Sequence, residues 1–111
     1  MDTNVMIGLF LIATGLLVTA ISVPLLRGMV KMNGLYGVRF PKSFQSDAIW
    51  YDVNKFGAKR LIFWSVPVVA AGLVSMMVSY DGDDALAYIF GLAPICYLIS
   101  AVECYLYLRK L

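Results

Sequence analysis

The sequence alternates between three long apolar runs and polar segments. The runs cover about residues 5–26, 61–80 and 85–108. A helix rises about 1.5 Å per residue, so each run is long enough to cross a hydrocarbon core of about 30 Å. We therefore predict an all-α integral membrane protein with three transmembrane helices, forming a single membrane domain over residues 1–111.

The connector between the first two runs, residues 27–60, is predicted to have structure of its own. Asn33-Gly34 and Tyr36-Gly37 are turn signals, because glycine permits positive φ and asparagine tolerates it. Ser43 or Ser46 can cap a helix that follows, and apolar residues recur at helical spacing after residue 47. We predict a short cytoplasmic interfacial helix here. Its spacing leaves open whether it lies in the membrane plane or continues into the second membrane helix.

Small side chains recur along two of the predicted membrane helices. They are Gly8, Gly15 and Ser22 in the first helix, and Ala71, Ser75 and Ser79 in the second. Apolar side chains gain little by leaving lipid for another helix, so membrane helices pack where small residues allow close approach. We expect these stripes to form helix contacts. They could also support self-association, and a homodimer is one hypothesis.

The charges fix a predicted orientation. All nine Lys and Arg residues lie on one side of the hydrophobic pattern: seven between the first and second runs, then Arg109 and Lys110 after the third. The other side carries only Asp2, Asp81, Asp83 and Asp84. Basic residues near membrane ends stay on the cytoplasmic face. We predict a multi-pass protein of the cytoplasmic (inner) membrane, with its N-terminus outside and its C-terminus inside.

The amino-acid composition is typical of a membrane protein and limits the kinds of binding site that the chain can form. Hydrophobic residues make up 61% of the chain and charged residues 14%, whereas soluble domains carry about 25% charged residues. The chain has no His, and its two cysteines, Cys96 and Cys104, are eight positions apart. We therefore expect no metal site and no cofactor. The basic connector is expected to meet anionic membrane lipids rather than nucleic acid.

One ordered set of residues in the connector carries a family resemblance. Asn33, Tyr36-Gly37-Val38-Arg39, Pro41 and Ser43 are followed by Trp50, Asn54 and Gly57-Ala58. This set resembles the signature of the SdpI family of bacterial membrane proteins, which have an Asn, a Gly-(Ile/Val)-Arg and a Trp followed one turn later by Asn or His. Phe40 stands where the family commonly has Thr, and Lys42 is an added charge.

The resemblance implies a function in the membrane. Known members of the family confer immunity against a secreted peptide toxin, and the namesake also sequesters a transcriptional repressor at the membrane. Applied to this chain, it implies resistance to a membrane-active peptide toxin, or a related envelope-stress role, through binding at the inner membrane interface.

Seven residues form the candidate binding site: Asn33, Tyr36, Gly37, Arg39, Trp50, Asn54 and Glu103. In the functional interpretation they form a polar and aromatic pocket for an amphipathic ligand, whose headgroup meets the planar guanidinium of Arg39. In the structural interpretation Asn33 caps a turn, Trp50 anchors at the headgroups and Asn54 satisfies buried backbone. Arg39 would then pair with Asp47, Asp52 or Glu103.

Glu103 is a charged residue that lies well inside a predicted membrane helix. Such residues face the bundle interior or a wet cavity and often mark functional sites. Glu103 could pair with Arg27, Arg39 or Arg60. The membrane helices contain no second, deeper carboxylate, which argues against a proton-coupled transporter.

Two alternatives to peptide resistance remain open. The first is a small membrane enzyme or carrier acting on a lipid or peptide in the same pocket. Asp47 and Asp52 are the acid–base candidates, but no nucleophile–base pair is evident, so an enzyme is the less favoured reading. The second is a membrane scaffold that recruits a cytoplasmic regulator through the basic connector.

Overall fold

The computed structural model describes residues 2–82 and 84–111. These residues contain helices and no strand: α1 (Thr3–Leu26), a 3₁₀ turn (Pro41–Phe44), α2 (Asp47–Met77), α3 (Asp84–Gly91), a second 3₁₀ turn (Ala93–Ile95) and α4 (Cys96–Leu108). Within this part of the chain, three helical segments are long and apolar enough to cross a membrane: Thr3–Leu26, Asp47–Met77 and Asp84–Leu108. The predicted all-helical class with three spans is confirmed. Asp83, which we placed among the acidic residues on the outer side, lies outside the described residues.

The second half of the connector belongs to the same helix as the second membrane span. α2 has 31 residues and is therefore about 46 Å long, well beyond the thickness of a hydrocarbon core. It begins after Ser46, whose side-chain oxygen accepts a hydrogen bond from the Ile49 N–H at 3.1 Å. Of the two arrangements that the sequence left open, the structure has the continuous one. The remaining connector loop, residues 27–46, is non-helical apart from its 3₁₀ turn.

The third span is interrupted at Pro94. Proline has no N–H to donate, and its ring clashes with the carbonyl four residues earlier, so it breaks the regular ladder. The chain adopts a 3₁₀ turn instead, in which the Ile95 N–H donates to the Leu92 carbonyl at 2.9 Å. We predicted one helix over 85–108, and the structure divides it into α3 and α4.

α1 and α2 form the main helix pair, and they approach closely at small residues. The stripe predicted on α1, Gly8, Gly15 and Ser22, is buried. On α2 the buried stripe is Ser65, Val68, Gly72 and Ser75. Ser79, which we placed in this stripe, is exposed and lies beyond the end of α2 at Met77. A Cβ added at Gly72 would lie 2.7 Å from the Gly8 carbonyl oxygen. The helices therefore meet backbone to backbone, which only glycine permits.

α1 and α4 both pack on α2 and make little contact with each other. α1 packs along α2 and touches α3, whereas its contact with α4 is marginal at most. α4 packs instead on α2. The connector loop contacts both helices at the end that the charges predict to be cytoplasmic: Tyr36 bonds to Ile21 of α1, and Phe40 meets Tyr105 of α4.

Candidate functional site

The connector loop turns sharply at Asn33, whose side chain builds the turn. Its Oδ1 accepts hydrogen bonds from the N–H groups of Leu35 at 2.9 Å and Tyr36 at 2.7 Å. Its Nδ2 donates to the carbonyls of Lys31 and Tyr36. The Tyr36 hydroxyl then donates to the carbonyl of Ile21 in α1. Asn33 thus shapes the turn, and Tyr36 ties it to α1.

Trp50 and Asn54 hold the connector loop on α2. The fully buried Trp50 indole donates to the Val30 carbonyl at 3.0 Å. Asn54, with 2% of its surface exposed, accepts from the Val38 N–H at 2.6 Å and donates to the Trp50 carbonyl at 2.8 Å. Both side chains therefore replace water for loop backbone groups that would otherwise be buried without partners.

Gly37 allows the loop to pass directly over these two side chains. Its φ is +120°, and a Cβ there would lie 2.6 Å from the Asn54 Oδ1 and 3.2 Å from the Trp50 ring. Neither the dihedral angle nor the space accepts a larger residue. The same loop segment then packs Val38 against Gly57 of α2.

A groove opens on the α4 side of this loop segment. It has a volume of about 430 Å³ and is lined by Gly37, Val38, Arg39, Phe40, Leu61, Tyr97, Ser100, Ala101 and Cys104. The ring of Phe40 meets Tyr105 of α4 edge-on, with 5.8 Å between ring centroids. The size falls within the range of about 300–1,000 Å³ that is common for ligand sites. The connector loop forms one wall and α4 the other.

Arg39 lies exposed at this groove. Its Nη1 donates to the Gly34 carbonyl at 2.6 Å. In residues 2–82 and 84–111 the structure contains a single salt bridge, and it does not include Arg39. The pairing with Asp47, Asp52 or Glu103 that we considered is therefore not formed. The guanidinium keeps its charge uncompensated and most of its N–H groups available, because arginine carries five.

Glu103 takes part in that one salt bridge. Its Oε2 lies 2.8 Å from Nη2 of Arg60, and its Oε1 accepts a hydrogen bond from the Trp64 indole at 2.7 Å. The Arg60 guanidinium also stacks over the Phe63 ring at 4.4 Å. Of the three arginines that we considered as its partner, the structure selects Arg60. Glu103 thereby holds α4 to α2 rather than lining the groove.

Three further contacts fix α4 against α2. The Tyr97 and Ser65 hydroxyls share a hydrogen bond of 2.8 Å. The Tyr107 hydroxyl donates to Asp52, and its ring stacks on Phe56 with 4.0 Å between centroids. Because these contacts extend along α4, they set the width of the groove.

The structure divides the seven candidate residues into four groups, and Gly37 belongs to two of them. Gly37, Trp50 and Asn54 are in contact where the loop crosses α2. Gly37 and Arg39 line the groove, Asn33 and Tyr36 shape the turn that precedes it, and Glu103 pairs with Arg60. Sequence reasoning did not select the α4 residues of the groove. These residues are Tyr97, Ser100, Ala101 and Cys104. Their helical spacing does not distinguish them, because every face of a membrane helix has the same spacing.

The arrangement can bind a molecule that is apolar along most of its length and anionic at one end. Apolar side chains and the Cys104 thiol offer hydrophobic surface, and Arg39 offers two-point hydrogen bonding to a phosphate or carboxylate. These features define a multi-pass helical membrane protein in which the connector loop and one of the spans form a groove.

The sequence model of the SdpI/YfhL protein family matches residues 29–106, which is more than half of the chain. The chain belongs to this family, as the connector motif predicted. The matched region includes all seven candidate residues and the whole lining of the groove. Searches of curated proteins and of solved structures found no match.

We expect Arg60 and Glu103 to be energetically coupled. Removing one partner leaves the other charge without compensation at a half-buried position. Arg60→Gln and Glu103→Gln should therefore each destabilise the fold, and the double variant should lose less than the sum. A coupling of about 0.5–3 kcal/mol is typical for residues in direct contact. A double-mutant cycle of unfolding in detergent measures it, with Arg109→Gln as a control outside the pair. Additive losses would show that the contact does not hold α4.

Proposed function

We propose that this protein gives resistance to a membrane-active peptide by binding it at the groove, at the predicted cytoplasmic interface. Membership of the SdpI/YfhL family supports a role in the membrane. The observation that carries the proposal is the exposed, uncompensated guanidinium of Arg39 at the rim of a largely apolar groove. A peptide of this kind combines apolar side chains with a carboxylate at its C-terminus or on an acidic residue, and the groove complements both.

Binding at this position would sequester the peptide within the membrane before it can assemble into a lesion. The groove faces outward between the connector loop and α4, so a ligand can reach it from the lipid without crossing the bundle. Trp50, Asn54 and Gly37 act indirectly in this proposal, since they hold the loop wall in place. Arg39 is the residue expected to touch the peptide.

The enzyme or carrier alternative receives less support from the geometry. It depended on the polar groups of the pocket together with Glu103, with Asp47 and Asp52 as the acid–base candidates. Asp47 and Asp52 do not line the groove. Glu103 is engaged by Arg60 and Trp64 through both of its oxygens, and it is not among the residues that line the groove. The geometry therefore favours binding over turnover.

A survival assay tests the proposal. Cells expressing the wild-type chain are exposed to a panel of membrane-active peptides, and survival is compared with that of cells expressing Arg39→Gln. We expect the wild-type chain to protect cells against at least one peptide of the panel. The inhibitory concentration of that peptide should be about tenfold or more lower for cells expressing the variant, because a lost charge-assisted pair is worth about 1.5–3 kcal/mol. Lys42→Gln is the matched control, because it removes a base of the same loop that does not line the groove.

Equal membrane levels of the three proteins, measured by immunoblot, are required for this comparison. Protection that persists in Arg39→Gln would contradict the proposed site. Wild-type cells that die at the same concentrations as cells without the protein, across the whole panel, would contradict the proposed function. A pull-down with Lys55 and Lys59 reversed in charge would then test the scaffold alternative, since both are exposed on the predicted cytoplasmic part of α2.

A further inference from the structure

We propose that the groove is a binding site for an anionic phospholipid, with the phosphate on Arg39 and one acyl chain along the α4 wall. The inference concerns the same groove as the proposed function but does not depend on peptide resistance. In the absence of a peptide, this lipid would occupy the groove.

The charge of the connector loop selects an anionic occupant. The sequence contains no acidic residue between Thr3 and Ser46, while the loop carries Arg27, Lys31, Arg39 and Lys42. Each well-placed base near an anionic leaflet contributes about 1 kcal/mol of attraction. Of these four bases, Arg39 is the one that lines the groove. An anionic lipid that is attracted to the loop and enters the groove therefore meets the guanidinium of Arg39.

The guanidinium of Arg39 is oriented and has free N–H donors with which to bind a phosphate. One N–H group is bonded to the Gly34 carbonyl, which fixes the orientation of the side chain, and the other N–H groups have no protein partner in the described part of the chain. The planar fork of arginine matches two phosphate oxygens at once. No carboxylate of the described residues competes for it within salt-bridge distance.

The α4 wall is suited to an acyl chain because its polar groups are already used. The Tyr97 hydroxyl bonds to Ser65, and the Ser100 hydroxyl donates to the Tyr97 carbonyl at 2.8 Å. With these hydroxyls satisfied, the groove presents mainly apolar surface, from Ala101 and Cys104 of α4 and from Leu61 of α2. Hydrocarbon covers such a surface without leaving any polar group unpaired.

Retention of lipid during purification tests this site. The full chain is purified in mild detergent, incubated with an equal mixture of phosphatidylglycerol and phosphatidylcholine, and analysed by native mass spectrometry. We expect the wild type to keep phosphatidylglycerol in preference to phosphatidylcholine. Arg39→Gln should reduce the retained phosphatidylglycerol about tenfold, as expected for a lost charge-assisted pair. Lys42→Gln should retain it as the wild type does.

A second variant tests the acyl-chain part of the site. Ala101 is exposed on α4 and lines the groove, so Ala101→Trp fills the groove while leaving Arg39 intact. It should lose the bound lipid with an unchanged circular dichroism spectrum. Equal retention of lipid in the wild type, Arg39→Gln and Ala101→Trp would overturn the proposal.

A competition experiment with phosphate and a retention experiment with a peptide separate the lipid from other anions. Millimolar inorganic phosphate should not displace the bound phosphatidylglycerol, because it makes no contact with the apolar wall. Displacement by phosphate, or retention of a carboxylate-bearing peptide with no retention of lipid, would also overturn the proposal. Because lipid retention and cell survival are separate readouts, a failure of this site can be told apart from a failure of the proposed function.

Discussion

Replacement of Gly72 by leucine should separate α1 from α2. A Cβ at this position would lie 2.7 Å from the Gly8 carbonyl oxygen and 2.8 Å from Cγ1 of Ile12. The first of these atoms is backbone and cannot move without shifting the whole of α1. Overpacking commonly costs about 1–3 kcal/mol and sometimes more, and a leucine that meets backbone belongs at the upper end of that range. The free energy of unfolding, measured by titration of SDS into mild detergent, should fall by about 3 kcal/mol.

Gly91→Leu is the matched control for that experiment. Gly91 is also a helical glycine in a membrane span, and no atom lies within 4 Å of the Cβ that it would gain. Its replacement should leave the unfolding free energy nearly unchanged. Equal stability of Gly72→Leu and Gly91→Leu would mean that α1 and α2 do not meet at Gly8 and Gly72.

Replacement of Gly37 by alanine should loosen the connector loop from α2. The residue combines a φ of +120° with a close approach to Asn54 and Trp50, so alanine introduces both backbone strain and a clash. Strain at such a dihedral costs about 1–3 kcal/mol, and the clash with Asn54 breaks the hydrogen bond to Val38 as well. We expect a loss of about 2–3 kcal/mol in unfolding free energy, together with loss of lipid retention at the groove.

Gly34→Ala provides the comparison for Gly37→Ala. Gly34 lies in the same loop, but it has no positive φ and its added Cβ meets nothing within 4 Å. It should retain the stability and the lipid binding of the wild type. If Gly37→Ala behaved in the same way, the loop wall of the groove would not depend on its crossing over α2.

The membrane architecture could be predicted because it depends on simple physical patterns. Length and hydropathy identify a span without knowledge of its neighbours, and this is why three spans were found. The stripe of Gly8, Gly15 and Ser22 was also predicted correctly. The α2 stripe was partly missed, since we chose Ala71, Ser75 and Ser79. Which face of α2 meets α1 depends on the crossing at Gly72, and the spacing of small residues does not reveal it.

The site could be predicted only in part, since its residues are separated along the chain. The connector motif led to Gly37 and Arg39, and the chain does belong to the family that the motif suggested. The α4 wall was missed because Ala101 and Cys104 look like ordinary packing residues until the connector loop is placed opposite them. The partner of Arg39 could not be predicted either, because a backbone carbonyl, here that of Gly34, leaves no sequence signature.

The groove exists only if the connector loop is folded and hydrogen-bonded to α2. The most direct measurement is hydrogen exchange of the Val38 amide, by NMR of the protein in lipid nanodiscs, in the wild type and in Asn54→Leu. The Val38 N–H donates to the buried Asn54 Oδ1 at 2.6 Å, so it should exchange slowly in the wild type and much faster in the variant. Exchange at the rate of an unstructured chain in the wild type, or slow exchange that Asn54→Leu does not change, would contradict the account.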